Sequence, residues 1–245
     1  MKIFSKRMVW LTGSAALATL LMACPKPPPT PDPSVSLTFE FPEVQHSSDL
    51  RLGAISFQQN DSGVNLKKLS SYPHFSSTSS TGSGSPQRVN RASVHLSGYD
   101  LLELRRVPGC ISPFISGEAQ GMTGVTVTPE SARTCNIYFT LFRDANGDGL
   151  PTVSEELYTT HTIYSHASVP FTYRFTDASG HSTETGTRTQ GWSLVRHEVL
   201  QPSATPGQYR VTMNSGPRED TALPIRLHEP TNRLISQSLK AGATK

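Results

Sequence analysis

The chain has 245 residues, 35% of them hydrophobic, and carries 22 Lys plus Arg against 19 Asp plus Glu, a formal net charge of +3. The excess of positive charge equals the contribution of Lys2, Lys6 and Arg7, which lie before the first cysteine in a segment without acidic residues. The remaining chain is formally neutral, which argues against a basic surface for nucleic acid.

The N-terminal segment predicts a secretory signal peptide over residues 1–23. Its basic residues precede an apolar run from Met8 to Leu20, and small Ala23 stands directly before Cys24. An uncleaved membrane anchor is the alternative, but a bilayer core needs roughly 20 predominantly apolar residues and this run is shorter and interrupted by polar ones. No other stretch is apolar enough to be a transmembrane candidate.

Residues 21–24 read Leu-Met-Ala-Cys and resemble the lipobox of bacterial lipoproteins. The resemblance implies cleavage before Cys24, acyl chains of the palmitate type on that cysteine, and export to a lipid-anchored position on the cell membrane. Pro25, where an Asp would favour retention in the inner membrane, favours the outer membrane in an organism that has one. Three acyl chains bind a protein to the bilayer far more strongly than a single chain, whose membrane binding is only marginal.

A proline-rich tether is predicted over residues 24–34. Six of the ten residues from Pro25 to Ser34 are prolines, and such a segment favours polyproline II, which extends about 3.1 Å per residue and would span roughly 30 Å. A ligand for a proline-recognising domain is the alternative to a simple spacer.

The body, residues 35–230, shows the period-two alternation of β-strands. Alternating segments include 35–41, 92–96, 135–141, 169–175, 209–213 and 223–227, and less regular candidates lie at 50–57, 99–107, 124–128, 157–164 and 192–200. We therefore expect an all-β fold, a single antiparallel β-sandwich or related barrel with long loops. The Ser/Gly-rich stretch 76–86 is predicted to be a flexible insertion, and residues 231–245 a C-terminal tail.

Two cysteines remain once Cys24 is assigned to lipid. In an exported protein Cys110 and Cys135 are expected to form a disulfide, whose ring of about 26 residues contributes roughly 3 to 4 kcal/mol in the chain-entropy description. A reactive or metal-binding pair is the alternative, although neither cysteine lies in a CxxC motif.

Residues 144–155 read DANGDGLPTVSE and resemble the calcium loop of EF-hands and dockerins. The resemblance implies a structural Ca²⁺ held by six residues: Asp144, Asn146, Asp148, Leu150 through its carbonyl, Thr152 and Glu155. Two features depart from the family: the incoming segment has a strand pattern rather than a helical one, and Pro151 lacks the N–H through which paired loops bridge. The loop is therefore expected to act alone and to bind weakly, with a dissociation constant of about 10⁻⁴ to 10⁻³ M. The alternative is an empty turn, capped by Thr152 and Glu155 in a T-x-x-E box.

No common local signature of a hydrolase or nucleotide enzyme occurs in the chain, and no catalytic residue is predicted. The leading hypothesis is a cell-envelope lipoprotein with a binding, adhesion or structural role towards an envelope protein or glycan, or as a subunit of an envelope assembly. The alternative is an envelope hydrolase whose site forms from distant residues. Its candidates are four histidines, which we otherwise expect to be solvated, and three carboxylates: His161, His166, His181 and His197 with Asp177, Glu184 and Glu198.

Overall fold

The computed structural model describes residues 30–60, 63–69, 73–77, 87–107, 110–113, 122–177, 180–200 and 207–230. The predicted signal peptide, Cys24, most of the tether, residues 78–86 of the predicted insertion and the tail 231–245 lie outside these ranges. The compact unit that contains the sheets begins at Pro31. No helix in the described ranges is long and apolar enough to span a bilayer.

A four-stranded sheet forms one layer of the body. Its strands are β1 (Val35–Gln45), β4 (His74–Ser76), β5 (Arg88–Leu96) and β15 (Ile225–Arg226), in the order β15-β1-β5-β4. The β1 strand pairs antiparallel with β5 and parallel with β15. Leu37, Phe39 and Phe41 of β1 point inward, as their alternation with polar residues predicts.

A second, larger sheet provides the other layer. Its members are β2 (Leu50–Asn60), β3 (Gly63–Lys68), β6 (Ser112–Pro113), β7 (Thr123–Thr128), β8 (Arg133–Arg143), β9 (Glu156–Thr159), β10 (Ile163–Ala167), β11 (Phe171–Thr176), β12 (Ser182–Arg188), β13 (Gly191–Leu200) and β14 (Tyr209–Ser215). The main path runs β3-β2-β8-β10-β13-β14-β12-β11-β7, with β6 and β9 also paired to β8. The β12 and β14 strands are parallel, whereas the other pairs in this sheet are antiparallel.

Two apolar clusters stabilise the layers. The first lies between the two sheets, where the rings of Phe39 and Phe139 approach to 4.9 Å between centroids. The second lies on the other side of β10 and β13 and takes Phe171, Phe175 and Val211 from the later strands. The sheets are mixed and do not close into a barrel, so the predicted all-β, sandwich-like fold is confirmed; the two parallel pairs depart from a purely antiparallel arrangement.

The segment predicted as a strand at 99–107 is instead mainly a helix, α1 (Gly98–Leu104). The hydroxyl of Ser97 accepts a hydrogen bond from the backbone N–H of Asp100 at 3.1 Å, which caps the first turn. Leu101 and Leu104 are fully buried on the same side of the helix, because residues three apart share a helical face.

Candidate metal loop, histidine cluster and tether latch

The Asp144–Glu155 loop connects β8 to β9, so a strand leads into it, as the sequence predicts. Two backbone hydrogen bonds close its base: Arg143 donates to the carbonyl of Glu155 at 3.0 Å, and Asp144 donates to the carbonyl of Asp49 at 2.9 Å. Gly147 and Gly149 have φ angles of 75° and 74°, a left-handed conformation in which glycine carries no steric penalty. The glycines of the motif therefore serve the turn that the motif requires.

The side chains at the front of the loop face its own backbone. Oδ1 of Asp144, which is only 8% exposed, accepts from the N–H of Gly149 at 3.1 Å. Asn146 accepts from the N–H of Asp148 at 2.9 Å and donates to its carboxylate at 2.9 Å. Asp148 also accepts from the N–H of Leu150 at 2.7 Å. These contacts hold three side-chain oxygen ligands of the predicted site along one tight turn.

The closing carboxylate, Glu155, bonds to both ends of the loop. Its Oε1 accepts from the N–H of Ala145 at 3.0 Å, and its Oε2 accepts from the N–H and hydroxyl of Thr152 at 3.1 and 2.8 Å. The hydrogen bonds from Thr152 are the main reason that the pKa of Glu155 lies below its usual value. Half of a capping box is thus present, the contact that the T-x-x-E alternative predicts.

Two cationic groups lie beside this acidic loop. Nε of Arg51 is 3.6 Å from Oδ2 of Asp144, and a side chain at Gly149 would meet Nζ of Lys68 at 2.3 Å. The all-oxygen donor set fits Ca²⁺, a hard cation. Within the described ranges, however, no three His, Cys, Asp or Glu side chains are placed to hold one ion. Ca²⁺ binding would therefore require the carboxylates of Asp148 and Glu155 to give up their hydrogen bonds from backbone N–H groups and coordinate the cation instead.

The predicted disulfide is present. Cys110 and Cys135 are bonded, with Cα atoms 4.9 Å apart and a sequence separation of 25. Both residues are buried in the apolar cluster between the sheets, and Sγ of Cys110 lies 3.1 Å from the hydroxyl of Ser56. The bond therefore ties the segment after α1 to the central strand β8.

Three histidines from distant parts of the chain form a histidine cluster: His161 just before β10, His197 on β13 and His228 just after β15. Ile163 pairs with Val195, so His161 and His197 continue that register and their ring centroids lie 4.6 Å apart. Nε2 of His228 lies 2.9 Å from Nδ1 of His161. His161 is only 5% exposed, which corrects the expectation of a solvated residue. Burial, and secondly the charge of His228, lowers the pKa of His197 to about 4.

The residues of the hydrolase alternative have different partners. Glu184 is 1% exposed in the second apolar cluster, where its carboxyl accepts from the Tyr173 hydroxyl at 2.7 Å. Arg188 lies on the same strand face and over the Tyr173 ring, 5.7 Å from its centroid. Burial raises the pKa of Glu184 to about 7, against the opposing effects of the Tyr173 hydrogen bond and the Arg188 charge. His181 and Glu198, by contrast, are exposed.

The end of the predicted tether is bound to the body by a contact that we name the latch, formed by Asp32 with Gly98, Arg105 and Trp192. The Asp32 carboxylate accepts from Nε of Arg105 at 2.7 Å and from Nε1 of Trp192 at 2.9 Å. Its N–H donates to the carbonyl of Gly98 at 3.1 Å. A side chain at Gly98 would come within 1.7 Å of the Asp32 carbonyl oxygen, so this approach requires glycine.

A broad polar surface covers the exposed side of β7, β11, β12 and β14, and we call it the threonine face. It contains rows of residues paired across neighbouring strands: Thr128, Thr172 and Thr187 in one, and Thr126, Arg174, Thr185 and Thr212 in the next. These side chains are exposed or partly exposed. Period-two placement of threonine on adjacent strands gives a regular array of hydroxyl groups.

Comparisons with family models, curated proteins and solved structures give no match. Sequence reasoning missed the latch and the histidine cluster, because each joins residues far apart in the chain. Asp32 and Trp192 are separated by 160 positions, and His161 and His228 by 67. The polar strand β12 was also missed, although its S-T-E-T-G-T-R alternation was a usable signal.

Proposed function

We propose that this chain is a lipid-anchored protein of the cell envelope, whose β-sandwich has a binding, adhesion or structural role at the membrane surface. The observation that carries the proposal is the Leu-Met-Ala-Cys sequence ending at Cys24, directly before a proline-rich tether. The outer membrane is the favoured site in a diderm organism.

Detergent phase partitioning tests the anchor. The full chain, expressed in a bacterium that processes lipoproteins, is expected to be cleaved and to partition into the detergent phase. Cys24→Ala is expected to remain uncleaved. Pro25→Ala is the matched control, because it changes a neighbouring residue and keeps the thiol. Equal processing of the wild type and Cys24→Ala would contradict the proposal.

The binding role is proposed for the threonine face, towards a hydroxyl-bearing partner such as an envelope glycan. Hydroxyl groups both donate and accept hydrogen bonds, so a row of threonines can pair with the hydroxyl groups of a sugar. Co-sedimentation with purified cell walls should fall when Thr172 and Thr185 are both changed to Glu. A matched double variant, Ser48→Glu with Ser154→Glu, adds the same two charges to another exposed surface and should bind as the wild type does. Unchanged binding of the double variant would contradict this assignment.

Calcium is proposed as a structural ion of the Asp144–Glu155 loop. Its support is the spacing of oxygen donors together with the two left-handed glycines. Calorimetric titration of the soluble body should show weak binding that Asp148→Ala abolishes and Glu130→Ala, an exposed carboxylate elsewhere, preserves. Identical titrations of the wild type and Asp148→Ala would exclude the site.

A further inference from the structure

The latch marks one end of the body, which we call the anchor end. Asp32 and the start of β1 at Val35 lie at this end. Trp192 pairs with His166, and His166 with Cys135 near the start of β8. The start of β8 therefore lies at the anchor end too.

The opposite end carries the Asp144–Glu155 loop. Both β1 and β8 run towards it, since the side chain of Arg143, the last residue of β8, donates to the carbonyl of Gln45, the last residue of β1, at 3.2 Å. Cys135 and Arg143 are eight residue steps apart, which at about 3.3 Å per step is roughly 26 Å. The loop thus lies the length of a long strand away from the latch.

Chain length sets an upper limit on the distance between the anchor end and the lipid. Only eight peptide units join Cys24 to Asp32, which cannot span more than roughly 29 Å even when fully extended. The latch then fixes where the tether enters the body.

The anchor end presents side chains that suit a lipid surface. Tyr99 and Glu103 lie four residues apart on the exposed side of α1, directly after the glycine of the latch, and exposed Arg106 follows two residues after the helix ends. Tyr99 is 69% exposed, and tyrosine favours the membrane–water interface because its ring is apolar and its hydroxyl polar. An exposed arginine near the surface is attracted to anionic headgroups.

We propose that the exposed side of α1 with Tyr99, together with Arg106 just after the helix, contacts the membrane that holds Cys24, and that the Asp144–Glu155 loop points away from it. This inference rests on the proposed lipid anchor. It assigns the loop to the end of the molecule that is presented to partners, and it assigns α1 to the end that contacts the bilayer.

Fluorescence quenching on vesicles tests the orientation. The full lipidated chain, reconstituted into phosphatidylcholine and phosphatidylglycerol vesicles, is labelled at Glu103→Cys or at Val153→Cys. Val153 is 87% exposed in the loop, and the native disulfide leaves no other free thiol once Cys24 is lipidated. A headgroup-attached nitroxide lipid should quench the label at 103 several-fold more strongly than the label at 153.

Two variants sharpen the result. Asp32→Ala, which removes both side-chain hydrogen bonds of the latch, should bring the two quenching values closer together. Tyr99→Ser with Arg106→Ser should weaken quenching at 103 while the protein still sediments with vesicles. Equal quenching of both labels in the wild type would overturn the orientation alone. Loss of the chain from the vesicle pellet would overturn the lipid anchor, and this inference with it.

Discussion

The pH dependence of stability should reveal the buried Glu184. Its pKa rises from 4.5 to about 7 on folding, chiefly because burial disfavours the charged carboxylate. A raised pKa stabilises the fold fully below the unfolded value, and the stabilisation is lost as the pH rises through the folded value. Between pH 5 and pH 8 this group alone should remove about 2 to 3 kcal/mol from the free energy of unfolding.

Glu184→Gln keeps an oxygen for the Tyr173 hydroxyl and cannot ionise. Urea unfolding of the soluble body at the two pH values should therefore show a loss of stability that is smaller in the variant by about 2 to 3 kcal/mol. Glu198→Gln is the matched control, because Glu198 is exposed and should leave the pH dependence unchanged. Identical pH dependence in the wild type and Glu184→Gln would refute the assignment.

Three further changes should alter stability by separate mechanisms. Replacing Cys110 and Cys135 by Ala should lower the free energy of unfolding by about 3.5 kcal/mol, and a reducing agent should then have no additional effect in urea titrations. Because folding lowers the pKa of His197, its contribution to the free energy of unfolding is present above pH 6.5 and lost as the pH falls towards 4. His197→Phe should therefore remove an acid destabilisation of about 2 kcal/mol at pH 5. An equal acid midpoint in the wild type and the variant would contradict this effect. Gly186→Ala should lower the thermal midpoint, because the new Cβ would lie 2.4 Å from the Met213 carbonyl oxygen, and overpacking costs about 1 to 3 kcal/mol; an unchanged midpoint would contradict the packing.

The strands with strict alternation were predictable, and the reason is local. Leu37 and Phe39 on β1, and Ile137 and Phe139 on β8, all lie at zero exposure, since side chains of a strand alternate between its two faces. The disulfide was predictable by elimination once Cys24 was assigned to lipid. These inferences need only the pattern of neighbouring residues or the number of cysteines.

The helix α1 was not predicted because its apolar residues also fit an irregular strand. The decisive signal was the Ser97 cap with Asp100 three residues later, followed by leucines at helical spacing. The buried polar residues of β12 were missed for a different reason: Glu184 and Arg188 are charged, and only the second apolar cluster around them makes that face an interior one.

The long-range contacts depend on strand register, which no local pattern specifies. His161 meets His197 because β10 and β13 pair with Ile163 opposite Val195, and a shift of one residue would turn one ring to the other face. The latch likewise requires α1 and β13 to meet at one end of the body. A sequence pattern predicts which residues face inward and leaves their partners open.

The lipid on Cys24 is the central claim, and mass spectrometry of the mature N-terminus tests it most directly. Protein purified from membranes should yield an N-terminal peptide that begins at Cys24 and carries the mass of its acyl chains, while Cys24→Ala should yield none. An intact N-terminus beginning at Met1, or an unmodified Cys24 in membrane-bound protein, would contradict the account.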